Sequence, residues 1–248
     1  MTIQSVGVVG GGVMGSGIAQ ALAVGGATVT VRDINDEMIA KSRETIVDGR
    51  YGLNRGVERG KTTQEDADAA LSRLSWTTDI AGLKDVDLVI EAVPEDLDLK
   101  KRVFAELDAA LKPDAYFASN TSGLAISDIN QAVSESRRPK FIGMHFFSPA
   151  PVMKLVELVY APDTAEETIT ALEDLCDRAG KTTVRVKDAL GKYGFIANRI
   201  YFAAVREAQK VMEEGIATPE DINKAMVYGF NWPVGPLAMI EGATKGWQ

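Results

Sequence analysis

Histidine and cysteine are almost absent from this chain: His145 and Cys176 are the only ones among 248 residues. A single cysteine excludes an internal disulfide framework, and one imidazole beside it argues against a transition-metal site, so no metal is expected. Excess positive charge is missing too. A net charge of −8 supplies no broad basic surface for nucleic acid. No apolar run approaches the roughly eighteen residues of a membrane span. The opening MTIQSVGVVGGG shows no basic segment followed by a cleavable apolar stretch. Repeats and low-complexity segments are also lacking. These absences lead us to expect a protein of a reducing cytoplasm with neither membrane nor nucleic-acid partner.

What is present is ample material for a core, with 46% hydrophobic residues, arranged in an alternating pattern. Residues 3–9 are valine-rich and run into glycines, which reads as a buried parallel strand. Residues 13–25 are small helix formers, and ATVTVRD at 27–33 reads as a second strand. Strand, glycine turn, helix, strand opens a doubly wound α/β domain. Helices at about 35–50 and 63–71, the strand VDLVIEAV and a helix at 96–111 continue it. After these come the strand AYFAS, a short helix near Ile126, the strand KFIGMHFF, an extended segment at 153–159, a helix at 164–179 and the strand TTVRV. Beyond Asp188 the patterns are helical only. One long amphipathic helix stops at Gly215, and Thr218 then caps another with Pro219 at its first position. The predicted fold is α/β: a Rossmann-type doubly wound parallel sheet over 1–188, then a smaller all-helical domain over 189–248. Trp232 and Trp247 read as packing residues of the latter.

The glycine cluster contains Gly10-x-Gly12-x-x-Gly15, with Met14 inside it. The first glycine permits the tight turn, the second lets a pyrophosphate approach the backbone, and the third lets helix and strand pack closely. Flexible glycine turns show the same spacing, but here a strand precedes it and a helix follows. Asp33 closes the second strand 18 residues past Gly15, where a carboxylate accepts hydrogen bonds from a ribose. Its charge would repel a 2′-phosphate, so the expected cofactor is NAD.

His145 lies in FIGMHFFSPAPVMKLVELV, an apolar setting where an imidazole is either an incidental core residue or a catalytic base. Pro149 and Pro151 interrupt the stretch. If its halves pair antiparallel about residue 151, His145 and Glu157 fall opposite each other, with Cβ atoms about 4.5–5.5 Å apart. A carboxylate there can orient the imidazole and offset the charge it gains on protonation.

Several stretches together resemble the L-3-hydroxyacyl-CoA dehydrogenase family of fatty-acid β-oxidation: GVVGGGVMGSGIAQALA, DLVIEAVPEDLDLKKRVFAELD, ASNTSGLAIS, HFFSPAPVMKLVEL, GFIANRI and WPVGPLAMIE. The resemblance runs essentially from end to end. It implies NAD-dependent interconversion of (3S)-3-hydroxyacyl-CoA and 3-oxoacyl-CoA in a cleft between domains. By the same resemblance His145 is the general base, Glu157 its partner, and Ser122 and Asn198 polar groups for the reacting oxygen. Cofactor contacts carry over to Gly10, Gly12, Met14, Gly15, Asp33, Ala92, Glu95, Lys100, Asn120, Ser122 and Ser148.

Three departures stand out. Ser148 occupies the place of the more common asparagine in HFFNP, as in the multifunctional β-oxidation enzymes. The serine and lysine that contact CoA in some relatives fall, counted without gaps, on Gly49 and Gly56. Instead Arg50, Arg55, Arg59 and Lys61 cluster against one acid, Glu58, which reads either as a site for the CoA phosphates, with Arg55, Arg59 and Lys61 as its candidates, or as a solvated basic face. The helical domain is expected to be incomplete relative to the family, with a homodimer where it is complete. Two alternatives stay open at this stage: a related NAD dehydrogenase of a free hydroxy acid, and a non-catalytic, crystallin-like NAD-binding protein.

Overall fold

A strand covered on both faces must be apolar throughout, and β1 (Ser5–Val9) is: Val6, Val8 and Val9 are all buried. It leads into α1 (Val13–Val24), whose small residues let the helix lie close against the sheet. Then follow β2 (Thr28–Arg32), α2 (Asp36–Val47), α3 (Leu53–Glu58), α4 (Gln64–Ser72), β3 (Leu74–Thr77), β4 (Leu88–Glu91) and α5 (Leu97–Ala110). The sheet is completed by β5 (Tyr116–Ser119), α6 (Ile126–Ile129), β6 (Phe141–Phe146), β7 (Leu155–Tyr160), α7 (Glu166–Arg178) and β8 (Thr182–Lys187). Helices α8 (Ala197–Glu213), α9 (Pro219–Phe230) and α10 (Pro236–Lys245) come last. The structure, a computed structural model, describes residues 2–191 and 194–245; Trp247 lies outside them.

The eight strands form one sheet in the order β3-β2-β1-β4-β5-β6-β7-β8. Strands β1 to β6 are parallel, β7 returns antiparallel along β6, and β8 is parallel to β7. The order reverses between β1 and β4, and the crevice outside the carboxyl ends at such a switch point is where ligands bind in doubly wound sheets. The Rossmann-type sheet and helical second part predicted from sequence are both present. Three elements were not anticipated, one of them α10 in the helical second part. α3 lies in the glycine-flanked run read only as a basic patch, and β3 is a four-residue edge strand whose tryptophan is only half-buried.

The chain divides into two compact units, Met1–Tyr193 and Gly194–Gln248. In the first, Phe104, Phe117 and Phe141 pack beneath α5, with the Phe104 and Phe141 rings edge to face at 4.6 Å. Cys176 is buried on α7, and burial pushes its thiol up to about 12, so it is not a reactive group. In the second unit, Thr218 accepts from the Asp221 N–H at 3.2 Å to cap α9, and Asn231 ends that helix in the left-handed region. Asn223 on α9 in turn accepts from the first amides of α10. Among the described residues no helix is long and apolar enough to cross a membrane.

Asp87 ties the amino-terminal ends of β1 and β4 together. It accepts from the amides of Gln4 and Ser5, from the Ser5 hydroxyl and from the Lys112 ammonium. Burial would raise its pKa, but Lys112 and the amides outweigh that and lower it from 3.8 to about 2. The folded value lies below the unfolded one, so this stabilisation is complete above roughly pH 4 and is lost as pH falls toward 2. Asp87→Asn should lower the unfolding free energy at pH 7 by about 1–2 kcal/mol in urea titrations. The difference from wild type should shrink steadily from pH 4 downward and disappear only below pH 2; a gap that does not shrink over that range would refute the assignment.

Candidate active site

The first wall of the site is the turn between β1 and α1. Gly10 has φ +98, a conformation L side chains rarely adopt. A Cβ on Gly15 would lie 1.7 Å from the Gly10 carbonyl oxygen, so only glycine fits there. Around Gly12, by contrast, no atom of the described residues beyond its own chain neighbours lies within 4 Å of an added Cβ. This open glycine sits at the N-terminus of α1, which has no side-chain cap and no acidic residue in its first turn. The amides and dipole there are suited to a diphosphate. Met14 is half-buried against the core.

Asp33 is buried, and each of its oxygens accepts a backbone N–H at 2.6 Å, one from Gly11 and one from Ile34. It therefore holds the glycine turn in place besides offering lone pairs to a ribose. Sequence reasoning gave it only the second task.

The second wall is formed by the carboxyl ends of β4 and β5. Gly10 packs so tightly on β4 that a Cβ would come 2.8 Å from the Ala92 carbonyl oxygen. Asn120 accepts from the Phe146 N–H at 2.9 Å, which fastens the end of β5 to the end of β6 beside His145. Ser122, half-buried, donates its N–H to Glu95 at 2.8 Å.

The third wall is the β6–β7 pair. His145 is directly opposite Glu157 in the register, and Nδ1 lies 2.8 Å from Glu157 Oε2. The histidine is 4% exposed and the glutamate fully buried. A carboxylate only accepts, so Nδ1 carries the hydrogen of this bond. The turn between the strands is clamped by Lys181, whose ammonium donates to the carbonyls of Ala150 and Met153 at 2.6 and 2.9 Å. On its other side Pro151 sits against Gly17 of α1. Among the described residues no cluster of histidine, cysteine or carboxylates could hold a metal.

Residues 5–189 match the model of the 3-hydroxyacyl-CoA dehydrogenase NAD binding domain, and residues 194–247 match the C-terminal domain of the same family. The chain belongs to the 3-hydroxyacyl-CoA dehydrogenase family. It is 42% identical over 241 residues to a 3-hydroxybutyryl-CoA dehydrogenase of Mycobacterium tuberculosis, a match covering 96% of this chain and 82% of that one. It is also 40% identical over 242 residues to the rat mitochondrial hydroxyacyl-coenzyme A dehydrogenase, covering 96% and 76%. The crystal structure of (S)-3-hydroxybutyryl-CoA dehydrogenase from Ralstonia eutropha superposes with a TM-score of 0.89 at 40% identity, covering 96% of this chain and 81% of that one.

Against the family resemblance, the structure brings Gly10, Gly12, Gly15, Asp33, Ala92, Asn120, Ser122, His145 and Glu157 to the carboxyl ends of the sheet. Ser148 is exposed just beyond β6. Lys100, which the resemblance places among the cofactor contacts, lies beneath the second wall. It is 1% exposed, with its ammonium held by Glu91 at 2.7 Å, Glu95 at 3.3 Å and the Val93 carbonyl at 3.2 Å. It therefore supports Glu95 from beneath. Asn198 is the second residue of α8 in the helical unit. Arg55, Arg59 and Lys61 line a cavity of about 440 Å³ with Gln20, Tyr51 and Pro151, but Arg55 is already paired with Glu58 at 2.6 Å. Sequence reasoning missed Glu91, Thr121 and Lys181. A charge inside the apolar run DLVIEAV was the available signal for the first.

The contrast between Gly12 and Gly15 yields a test. Gly12→Ala should leave the thermal unfolding midpoint within about 2 °C of wild type, because its methyl meets no atom of the described residues beyond its chain neighbours. NADH affinity, followed by fluorescence titration, should fall about tenfold or more. Undiminished affinity would remove the diphosphate from this turn.

Proposed function

We propose that this chain oxidises (3S)-3-hydroxyacyl-CoA thioesters to 3-oxoacyl-CoA with NAD, and runs the reverse reaction. The observation that carries the reading is the buried His145–Glu157 hydrogen bond, in the unit that bears the open glycine turn. NAD, when bound, supplies the hydride acceptor. The glycine turn and the α1 terminus hold its diphosphate, and Asp33 holds the adenosine ribose. Ala92, Glu95 and Asn120 form the wall beside the nicotinamide end.

His145 takes the hydroxyl proton through Nε2 as the carbinol carbon loses hydride, and Glu157 stabilises the imidazolium that results. A carboxylate fixed by strand register suits this work, since it needs no reorganisation when the charge forms. Ser122 orients the C3 oxygen. The like role of Asn198 rests on the family motif. Arg59 and Lys61 hold the CoA phosphates in the cavity beneath α3, with Arg55 as the lesser contributor because Glu58 already meets its charge. Cytoplasmic residence completes the proposal, with assembly as a homodimer where the helical domain is complete; Tyr228 and Phe230 of α9 present exposed rings for it.

Turnover of acetoacetyl-CoA with NADH, run beside free acetoacetate, tests the reading. The thioester alone should react, and His145→Ala should lower kcat by about 10²–10⁴-fold while NADH still binds. NADH binding without wild-type turnover of either compound would overturn it. For the thioester handle, Arg59→Ser with Lys61→Ser should raise KM for acetoacetyl-CoA about tenfold. The same pair should leave KM for acetoacetyl-N-acetylcysteamine unchanged, since that substrate lacks the phosphates; equal effects on both would remove the cations from the site.

A further inference from the structure

Thr121 is fully buried one residue before Ser122, at the end of β5, and its hydroxyl uses its full capacity. It donates to Glu95 Oε1 at 2.6 Å and accepts from the amides of Leu124 at 2.9 Å and Gly123 at 3.3 Å. The same Glu95 oxygen accepts the Ser122 N–H at 2.8 Å. Ser122 is thus gripped from both sides, through its own amide by Glu95 and through the next two amides by Thr121. Rotation of its backbone would break several charge-assisted or buried hydrogen bonds together.

Glu95 is itself anchored. Its other oxygen lies 3.3 Å from the Lys100 ammonium, which is 2.7 Å from Glu91 in the interior of the sheet. Glu91 also accepts from the Ser119 hydroxyl at 2.6 Å and the Val93 amide at 2.7 Å. A buried glutamate–lysine pair is a poor stabilising device, since desolvation offsets its attraction; its better-attested use is to fix geometry. Here the geometry fixed is that of the Ser122 turn.

We infer that Thr121, with the Glu91–Lys100–Glu95 chain behind it, is a positioning residue that sets the Ser122 hydroxyl for the C3 oxygen of the substrate. The inference rests on the role proposed above for Ser122. Thr121 has no exposed surface and its hydroxyl is fully engaged by protein groups, so it acts through the backbone of its neighbour. Misplacement of a reacting group by a fraction of an ångström to one ångström costs about ten- to a hundredfold in rate.

The test compares Thr121→Val, which keeps the shape and removes the hydroxyl, with Thr121→Ser, which keeps the hydroxyl, and with Ser122→Ala. Each is assayed for kcat with acetoacetyl-CoA and NADH and for NADH affinity by fluorescence. Thr121→Val is expected to lose about tenfold or more in kcat with NADH affinity within about twofold of wild type, and Thr121→Ser to stay within about threefold in kcat. Should Thr121→Val fail to fold, Glu91→Gln carries the same comparison, with the same split between kcat and affinity expected. If Ser122→Ala is impaired and Thr121→Val is not, the inference falls while the role of Ser122 stands. A Thr121→Val loss that lies in NADH affinity as much as in kcat also overturns it. An unimpaired Ser122→Ala removes the role of Ser122 and this inference with it.

Discussion

The antiparallel return of β7 along β6 is the constraint on which the site depends. Side chains alternate across a sheet with a period of two, so a slip of one residue would turn Glu157 to the face opposite His145. Three contacts fix the register. Asn120 binds the Phe146 amide next to the histidine, Lys181 closes the turn through two carbonyls, and Gly17 allows Pro151 to seat against α1. None of the three groups belongs to the hairpin it fixes. The orientation of one imidazole is thereby set by β5, α1 and the start of β8 together.

That dependence explains what could be read from the sequence. The pairing of His145 with Glu157 was legible because it is local arithmetic: two prolines mark the turn, and the two residues are equidistant from position 151. The glycine turn was legible for a similar reason, since each glycine answers a steric demand made within a few residues. What stayed hidden is tertiary. Lys181 follows a helix and looks like any surface lysine, yet it is buried because a turn 30 residues earlier folds over it. Lys100 is placed by resemblance among the cofactor contacts, and its pairing with Glu91 appears only once β4 lies beneath its helix. β3 escaped notice because an edge strand of four residues carries too few side chains for alternation to register.

The acidic composition and the two anionic ligands of the proposed reaction look incompatible until the acids are placed. Asp33, Glu91 and Glu95 lie around the cofactor crevice, but their oxygens accept from backbone amides, hydroxyls or Lys100. Each hydrogen bond disperses charge that would otherwise repel a diphosphate. The helix terminus and the cations about α3 then supply the positive potential locally, which a net charge of −8 conceals.

A division of labour among these carboxylates follows. In the proposed reaction Glu157 faces an imidazole and answers a proton, whereas Glu91 and Glu95 face amides, hydroxyls and Lys100 and hold shape, and Asp33 holds the glycine turn as well as a ribose. The distinction rests on partner type, because residue identity and depth are much the same for Glu91 and Glu157, both fully buried. A carboxylate bonded to amides and a fixed ammonium has its charge compensated before any reaction begins, so it cannot respond to charge that develops later. One bonded to a group that gains a proton during turnover can. By that criterion the reaction proposed for this chain needs a single responsive acid, while Glu91 and Glu95 serve to keep the surfaces around it from moving.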